Sequence, residues 1–198
     1  MREPGAEGGG NRGLIAGILL AAGQSIRFGR PKLIEAWQGE PLVRRAARGF
    51  LDAGLDPVIV VVSSASRAGD AMRGLPVITV PNPRPEDGIS GSIACGLQVL
   101  PDAASAALIG VADQPRVTAQ VLQALMRAYV PGKIVVPVYG DHRGNPALFD
   151  RGFLPELLAL DGDRGGQVVV GRHPEAIIEV ALPEEVGEDI DEPEQWSG

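Results

Sequence analysis

The chain is expected to fold as an α/β protein, a three-layer arrangement with a mostly parallel sheet between two helical layers. Three observations predict it. Apolar runs of strand length with no polar interruption, such as Val58-Ile59-Val60-Val61-Val62, suit parallel strands buried on both faces. These runs alternate from end to end with amphipathic segments of helical length. Length and composition agree, since 198 residues with few aromatics give one Ala/Val/Leu-built domain a substantial core and leave little room for a second.

Taken in order, Met1 to Gly13 has an early arginine but no apolar core, so it is expected to be a flexible tail and not a signal peptide. Its Gly8-x-Gly10-x-x-Gly13 matches a dinucleotide fingerprint by letters alone, but it precedes the first strand instead of following it. Residues 14–198 are expected to form a single domain. Leu14 to Leu20 is the first strand. Pro41 to Ala53 is a helix, with proline near its start and Gly54 just past its end. Pro57 to Ser63 is the second strand, Ser64 to Gly74 a short helix and Val77 to Val80 a short strand. Pro81 to Gly88 is a rigid, proline-rich loop, and Gly88 to Leu100 the next helix. Ala106 to Val111 is a further buried strand that ends at Asp113-Gln114-Pro115. Thr118 is expected to cap a helix running to Val130, and Lys133 to Val138 is again a strand. The remainder mixes loops with short helices near Arg151 to Ala159 and Gly165 to Gly171, and a strand near Ile177 to Val180.

Composition limits the partners. A net charge of −7 argues against a surface that coats nucleic acid, which needs a basic face. No apolar run approaches the roughly 20 residues required to cross a bilayer. A single cysteine, Cys95, cannot form an intramolecular disulfide, which suits the cytoplasm, and its apolar helical setting suggests a small buried hydrophobe. His142 and His173 lie in loops without metal-ligand spacing and are expected at the surface.

The stretch Leu19 to Lys32 carries the most chemistry. It leaves the first strand, where ligands of such sheets bind. Small residues and two glycines let the backbone aim N–H groups at an anion, and Arg27, Arg30 and Lys32 add three cations within six positions. That combination suits a triphosphate, although the spacing is not that of a P-loop. Lys32 itself is expected in a loop outside the core. By themselves the other polar motifs have ordinary readings. Asp113 in Asp-x-Pro can aim a carboxylate at the same crevice or simply make a turn, and Asp189-Ile190-Asp191 can be a solvated acidic tail. Gly88 and Ser90 at a helix start can offer donors to a ligand or cap the helix, and Gly144-Asn145-Pro146 is plain turn chemistry.

Together these motifs resemble those of the MobA-like family of nucleotidyltransferases, most of all its molybdenum cofactor cytidylyltransferase branch. Leu20-Ala21-Ala22-Gly23-x-Ser25-x-Arg27-Phe28-Gly29-x-x-Lys32 is similar to that branch's first-loop signature, with Phe28 in place of methionine. The resemblance covers Leu14 to Trp196. It implies a Rossmann-like nucleotidyltransferase fold and Mg²⁺-dependent transfer of CMP from CTP to the terminal phosphate of molybdopterin or its molybdenum-loaded form. Pyrophosphate would leave. Arg27 and Lys32 would stabilise the phosphates. Asp113, in the family's Ala-Asp-Gln-Pro, would hold the metal with Asp191, whose motif carries Glu192 where threonine is usual. Leu20, Ala21, Ala22, Gly23, Ser25, Lys32, Gly88 and Ser90 would bind the nucleotide.

On the acceptor side the resemblance implies Arg143, Asn145 and Asp163. Asn145 replaces a histidine, and Ala94 an arginine, so an imidazole and a cation are absent here. The Ala-Ala-Gly pattern implies CTP, whereas the guanylyl branch usually has Ala-Gly-Gly. The Ala22 methyl is expected on the loop floor, where it limits the size of the base. GTP use, transfer to another small phosphate, or metal-free delivery of the cofactor to a molybdenum hydroxylase client are the alternatives.

Overall fold

The computed structural model describes residues 13–23 and 31–188. Strand β1 (Leu14–Ala21) is followed by a small hairpin of β2 (Ala36–Trp37) and β3 (Glu40–Pro41), and then by helix α1 (Leu42–Asp52). Next come β4 (Val58–Ser63), β5 (Ile78–Asn82), α2 (Ile89–Gln98), β6 (Ala104–Val111) and α3 (Ala119–Ala128). The last part holds β7 (Ile134–Tyr139), β8 (His142–Arg143), β9 (Ala147–Asp150), α4 (Leu154–Leu158), α5 (Gln167–Arg172) and β10 (Ile177–Leu182).

The uninterrupted apolar runs occupy the middle of one sheet, ordered β10-β7-β9-β6-β1-β4-β5, with β8 added beside β7. β1 lies parallel to β4 on one side and β6 on the other, with Ile18 opposite both Ile59 and Ile109. Such strands need cover on both faces, and they have it. Leu19, Val60 and Leu108 point into a core with Phe50 of α1 and Leu122 of α3. Their neighbours Ile18, Ile59 and Ile109 point the other way, into a core with Ile93 of α2, Leu157 of α4 and Val169 of α5. Each fully covered Ile or Leu contributes about 1.5–3 kcal/mol. Gly96 lets α2 sit close to the sheet, because a Cβ there would come within 2.6 Å of Ile18.

From β1 the chain steps outward to β4 and β5, then crosses back to place β6 on the other flank of β1. The carboxyl ends of β1 and β6 therefore flank a topological switch point, where open α/β sheets bind ligands. The predicted mostly parallel architecture is observed, with one exception inside the sheet. β9 runs antiparallel to both β6 and β7, so residues 140–146 reach the same end of the sheet as the segment that leaves β6.

Local differences from the sequence expectations have simple causes. The Ser64 to Gly74 segment is a 3₁₀ turn, Arg67–Met72, begun by Ser66 Oγ accepting from the Ala68 N–H and followed by Gly74 at φ +81°. Thr118 holds the N-cap position of α3, but its side chain makes no cap hydrogen bond, and its carbonyl accepts from Leu122 N–H instead. The Val77 to Val80 strand extends through Asn82, which is 2% exposed and donates to Ser92 Oγ (3.1 Å).

Candidate active site

β6 ends at Val111, and the Ala112 N–H donates to Leu20 O of β1 (3.0 Å), fixing the next residue beside the end of β1. That residue is Asp113. Pro31 opens a 3₁₀ turn at Lys32–Ile34, and Lys32 Nζ reaches Asp113 Oδ2 at 2.9 Å. Here the expectation for Lys32 is corrected, since the residue is only 7% exposed and lies inside the fold. A lysine that is nearly covered is held by an opposite charge, and Asp113 supplies it. The Asp113 side chain stays 28% exposed, so its carboxylate retains capacity for a further partner. Next to it, Gln114 is buried, donates from Nε2 to Gly187 O (3.2 Å), and leaves Oε1 buried without a partner. Among the described residues no group of three His, Cys, Asp or Glu side chains forms a metal site.

At the same end of the sheet, with Val111 of β6 in its lining, lies an open cleft that neither Lys32 nor Asp113 lines. Leu20, Ile93, Ile109 and Phe149 line it with apolar surface, and Asn145 and Gln167 bring amides to it. Beside the pairing of β8 with β7, three hydrogen bonds seat Gly144 and Asn145 of the 140–146 segment. Tyr139 Oη donates to Asn145 O (2.7 Å), Gly144 N–H to Pro137 O (3.2 Å) and Gln167 Nε2 to Gly144 O (3.1 Å). Gln167 was not expected as a site residue, because it stands where the resembling motif after Gly162-Asp163 would carry an arginine; that position was its signal.

Gly88, at φ +92°, starts α2, and a Cβ there would lie 2.4 Å from both the carbonyl carbon and the oxygen of Gly162. Ser90, 5% exposed, donates its N–H to Gly162 O (3.2 Å). The two predicted motifs thus meet backbone to backbone, and glycine at 88 is required by that approach. Asp163 follows Gly162 on the exposed side. Arg143 is directed elsewhere, with Nε and Nη2 on Glu179 Oε1 of β10 (2.8 and 2.7 Å).

Leu20 lines the cleft, Ala21 faces the core and Gly23 is exposed. Ala22 is 4% exposed, so its methyl packs against protein and does not form an open floor. Ser25, Arg27 and Asp191 lie outside the described residues. Cys95 is only partly buried, and burial pushes its thiol up, away from the thiolate that a nucleophile needs. His142 is exposed, but His173 is partly covered and lies 2.6 Å from Glu156 Oε1.

An open, mostly parallel sheet with a buried lysine paired to a partly exposed aspartate, and an apolar cleft at its switch point, defines a ligand-binding α/β protein of the nucleotide-handling kind. The chain belongs to the MobA-like NTP transferase family, whose domain model matches residues 17–177. It is 30% identical to the nicotine blue oxidoreductase of Paenarthrobacter nicotinovorans, over 91% of this chain and 94% of that protein. It is 31% identical to the probable molybdenum cofactor guanylyltransferase of Chloroflexus aggregans, over 66% of this chain and 61% of that one. Among solved structures it resembles Rv0371c of Mycobacterium tuberculosis, with 29% identity, a TM-score of 0.78 and coverage of 92% and 96% of the two chains. A manganese complex of Rv0371c matches at 26% identity and a TM-score of 0.70, over 86% and 88% of the chains. No helix among the described residues is long and apolar enough to cross a membrane.

Proposed function

We propose that the protein transfers a nucleotidyl group from CTP or GTP to the terminal phosphate of a molybdopterin-type acceptor. The observation that carries this reading is the Lys32–Asp113 pair at the switch point, with an apolar cleft at the same end of the sheet. An acceptor phosphate oxygen attacks the α-phosphorus of the donor, the bond to the β-phosphate oxygen breaks, and pyrophosphate leaves. A phosphate monoester has a second pKa of about 6, so the nucleophile is already ionised at neutral pH and no general base is required. Alignment and charge are what the protein must supply.

Lys32 neutralises Asp113 in the free protein and offers a cation to the donor's phosphates in the complex, with Arg27 as its proposed companion. Leu20 to Gly23 and Ser25, Gly88 and Ser90 form the proposed donor side. The cleft seats the ring system of the acceptor on Leu20, Ile93 and Phe149, with Asn145 orienting it. Arg143, held on Glu179, and the exposed Asp163 are outside its lining and could meet the acceptor only beyond it. A hard divalent cation suits the partly exposed Asp113 carboxylate, with Asp191, outside the described residues, as its proposed second ligand. One or two carboxylates suffice for Mg²⁺ where substrate phosphates complete the shell. When bound, such an ion neutralises charge on the phosphates. The manganese complex of Rv0371c supports a divalent-metal site in this fold.

The two donors have equal support. Ala21-Ala22-Gly23 points to CTP, and the guanylyltransferase name of the Chloroflexus relative points to GTP. The test incubates the protein with molybdopterin, Mg²⁺ or Mn²⁺, and each triphosphate, and reads pyrophosphate together with the nucleotidylated product by mass spectrometry. Release with one triphosphate names the donor, and acceptor binding without release would leave a delivery protein as the account. A second reading, redox chemistry, is favoured by the near full-length match to the oxidoreductase relative. Oxidation of a reduced nicotinamide by a conjugated acceptor, without pyrophosphate release, would establish it.

A further inference from the structure

We infer that Tyr139 is a positioning residue for the acceptor, holding Asn145 in place at the wall of the cleft. The inference rests on the acceptor reading above. Tyr139 is the largest fully buried side chain among the described residues, yet it belongs to neither of the two cores that flank the sheet. Two glycine backbones from separate segments lie against its ring instead. A Cβ on Gly144 would come within 2.7 Å of the ring, and one on Gly187 within 2.4 Å. Neither position can gain a side chain unless the ring or the backbone shifts. The ring is therefore gripped by the segment that carries Asn145 and by the C-terminal segment, which is itself tied down where Gly187 O accepts from Gln114 Nε2 (3.2 Å).

The hydroxyl shows what the grip is for. A buried tyrosine places its polar end on a partner, and here the partner is the backbone of a residue that lines the cleft. Tyr139 Oη donates to Asn145 O (2.7 Å), the one hydrogen bond of Asn145 among the described residues. The Asn145 side-chain amide thus keeps its donor and acceptor capacity for a ligand, while its backbone is located by the phenol. A phenylalanine would fill the same space between the glycines, so packing alone does not call for a tyrosine. The hydroxyl adds the placement of Asn145.

The test titrates pterin, the ring of the proposed acceptor by itself, into the full chain without metal or triphosphate, and follows pterin fluorescence. Urea unfolding checks that each variant is folded. Tyr139→Phe keeps the ring and removes the bond to Asn145, and is expected to weaken pterin binding about fivefold, the scale of one neutral hydrogen bond. Its affinity for CTP and GTP should not change, a split that general loosening of the fold would not produce. In an Asn145→Ala background the same substitution should cost less than about twofold, because no amide remains to be placed. Unaltered pterin affinity in folded Tyr139→Phe, or an undiminished effect in the Asn145→Ala background, overturns the positioning role while the acceptor reading stands. If Tyr139→Phe does not fold, Gly187→Ala decides. It lies outside the cleft lining and keeps the hydroxyl but displaces the ring, so it should weaken pterin binding at least as much. No pterin binding by the unmodified protein overturns the acceptor reading itself.

Discussion

Two carboxylates close opposite ends of the same strand pair, and their surroundings differ. Asp150 ends β9 beside Ala106, at the start of β6, whereas Asp113 follows the other end of β6. Asp150 accepts from Tyr129 Oη (2.7 Å), Gly132 N–H (2.9 Å) and Gly152 N–H (2.9 Å). Burial pushes its carboxyl up, but those three bonds together outweigh burial and hold it below the usual carboxylate range. Tyr129 is driven well upward by burial and by the Asp150 bond and charge. Asp113, by contrast, is paired with the end of a long lysine and keeps part of its surface open. A carboxylate that holds a fold is saturated by fixed donors of that fold. One that serves a ligand has a partner able to move and oxygen capacity in reserve.

The contrast fails if the two positions respond alike to mutation. Asp113→Asn should reduce pyrophosphate release about a thousandfold, roughly 4 kcal/mol at the transition state, with nucleotide affinity falling less. Transfer at the normal rate in the single-turnover assay would place Asp113 with Asp150 as a structural group. Lys32→Met preserves the buried stem and removes the cation. Its turnover should drop about a hundredfold, the scale of one lost transition-state donor, as measured by initial rates at saturating triphosphate.

Asp150→Ala should behave in the opposite way. It should lower unfolding stability by about 2–3 kcal/mol in urea titrations while leaving turnover per folded molecule intact. Because the folded pKa is depressed, Asp150's contribution is present above the unfolded pKa of about 4 and is lost as pH falls through the folded value. The stability gap between the two proteins should therefore narrow at low pH, and a gap of unchanged size there would mean that the charge is not what matters. The smallest effect concerns the donor base. With Ala22 only 4% exposed, Ala22→Gly should shift the CTP-to-GTP ratio by less than about threefold in competition assays. A shift of about tenfold or more would put that methyl against the base after all.

Much of the sheet was legible because burial on both faces writes itself into the sequence. Val58 to Val62 or Ala106 to Val111 can hardly be anything but central strands. β9 was not legible. It is four residues long, begins just after Pro146, and its Ala-Leu-Phe is too short to show a period. The two-residue strands β2, β3 and β8 carry no signal at all. Composition could point to Lys32 and Asp113 individually, since each sits in a motif with an anion or metal reading. Their contact spans 81 positions and depends on β6 lying beside β1, which no local pattern encodes. The same holds for Gln114 and Gly187, and for Gly88, whose glycine answers to the backbone of Gly162 and not to its own helix.

The reversed strand β9 has a thermodynamic consequence for the cleft. Because β7 and β9 pair directly, both feet of the segment that carries Asn145 are rooted in one sheet. The Tyr139, Pro137 and Gln167 bonds then fasten its middle. The entropy lost in ordering such a segment is lost when the chain folds, so little of it remains to oppose an arriving ligand. An ordinary loop between a strand and a helix is tied to the sheet at one foot only. Reversing a single short strand thus gives the cleft a wall that is rigid before anything binds.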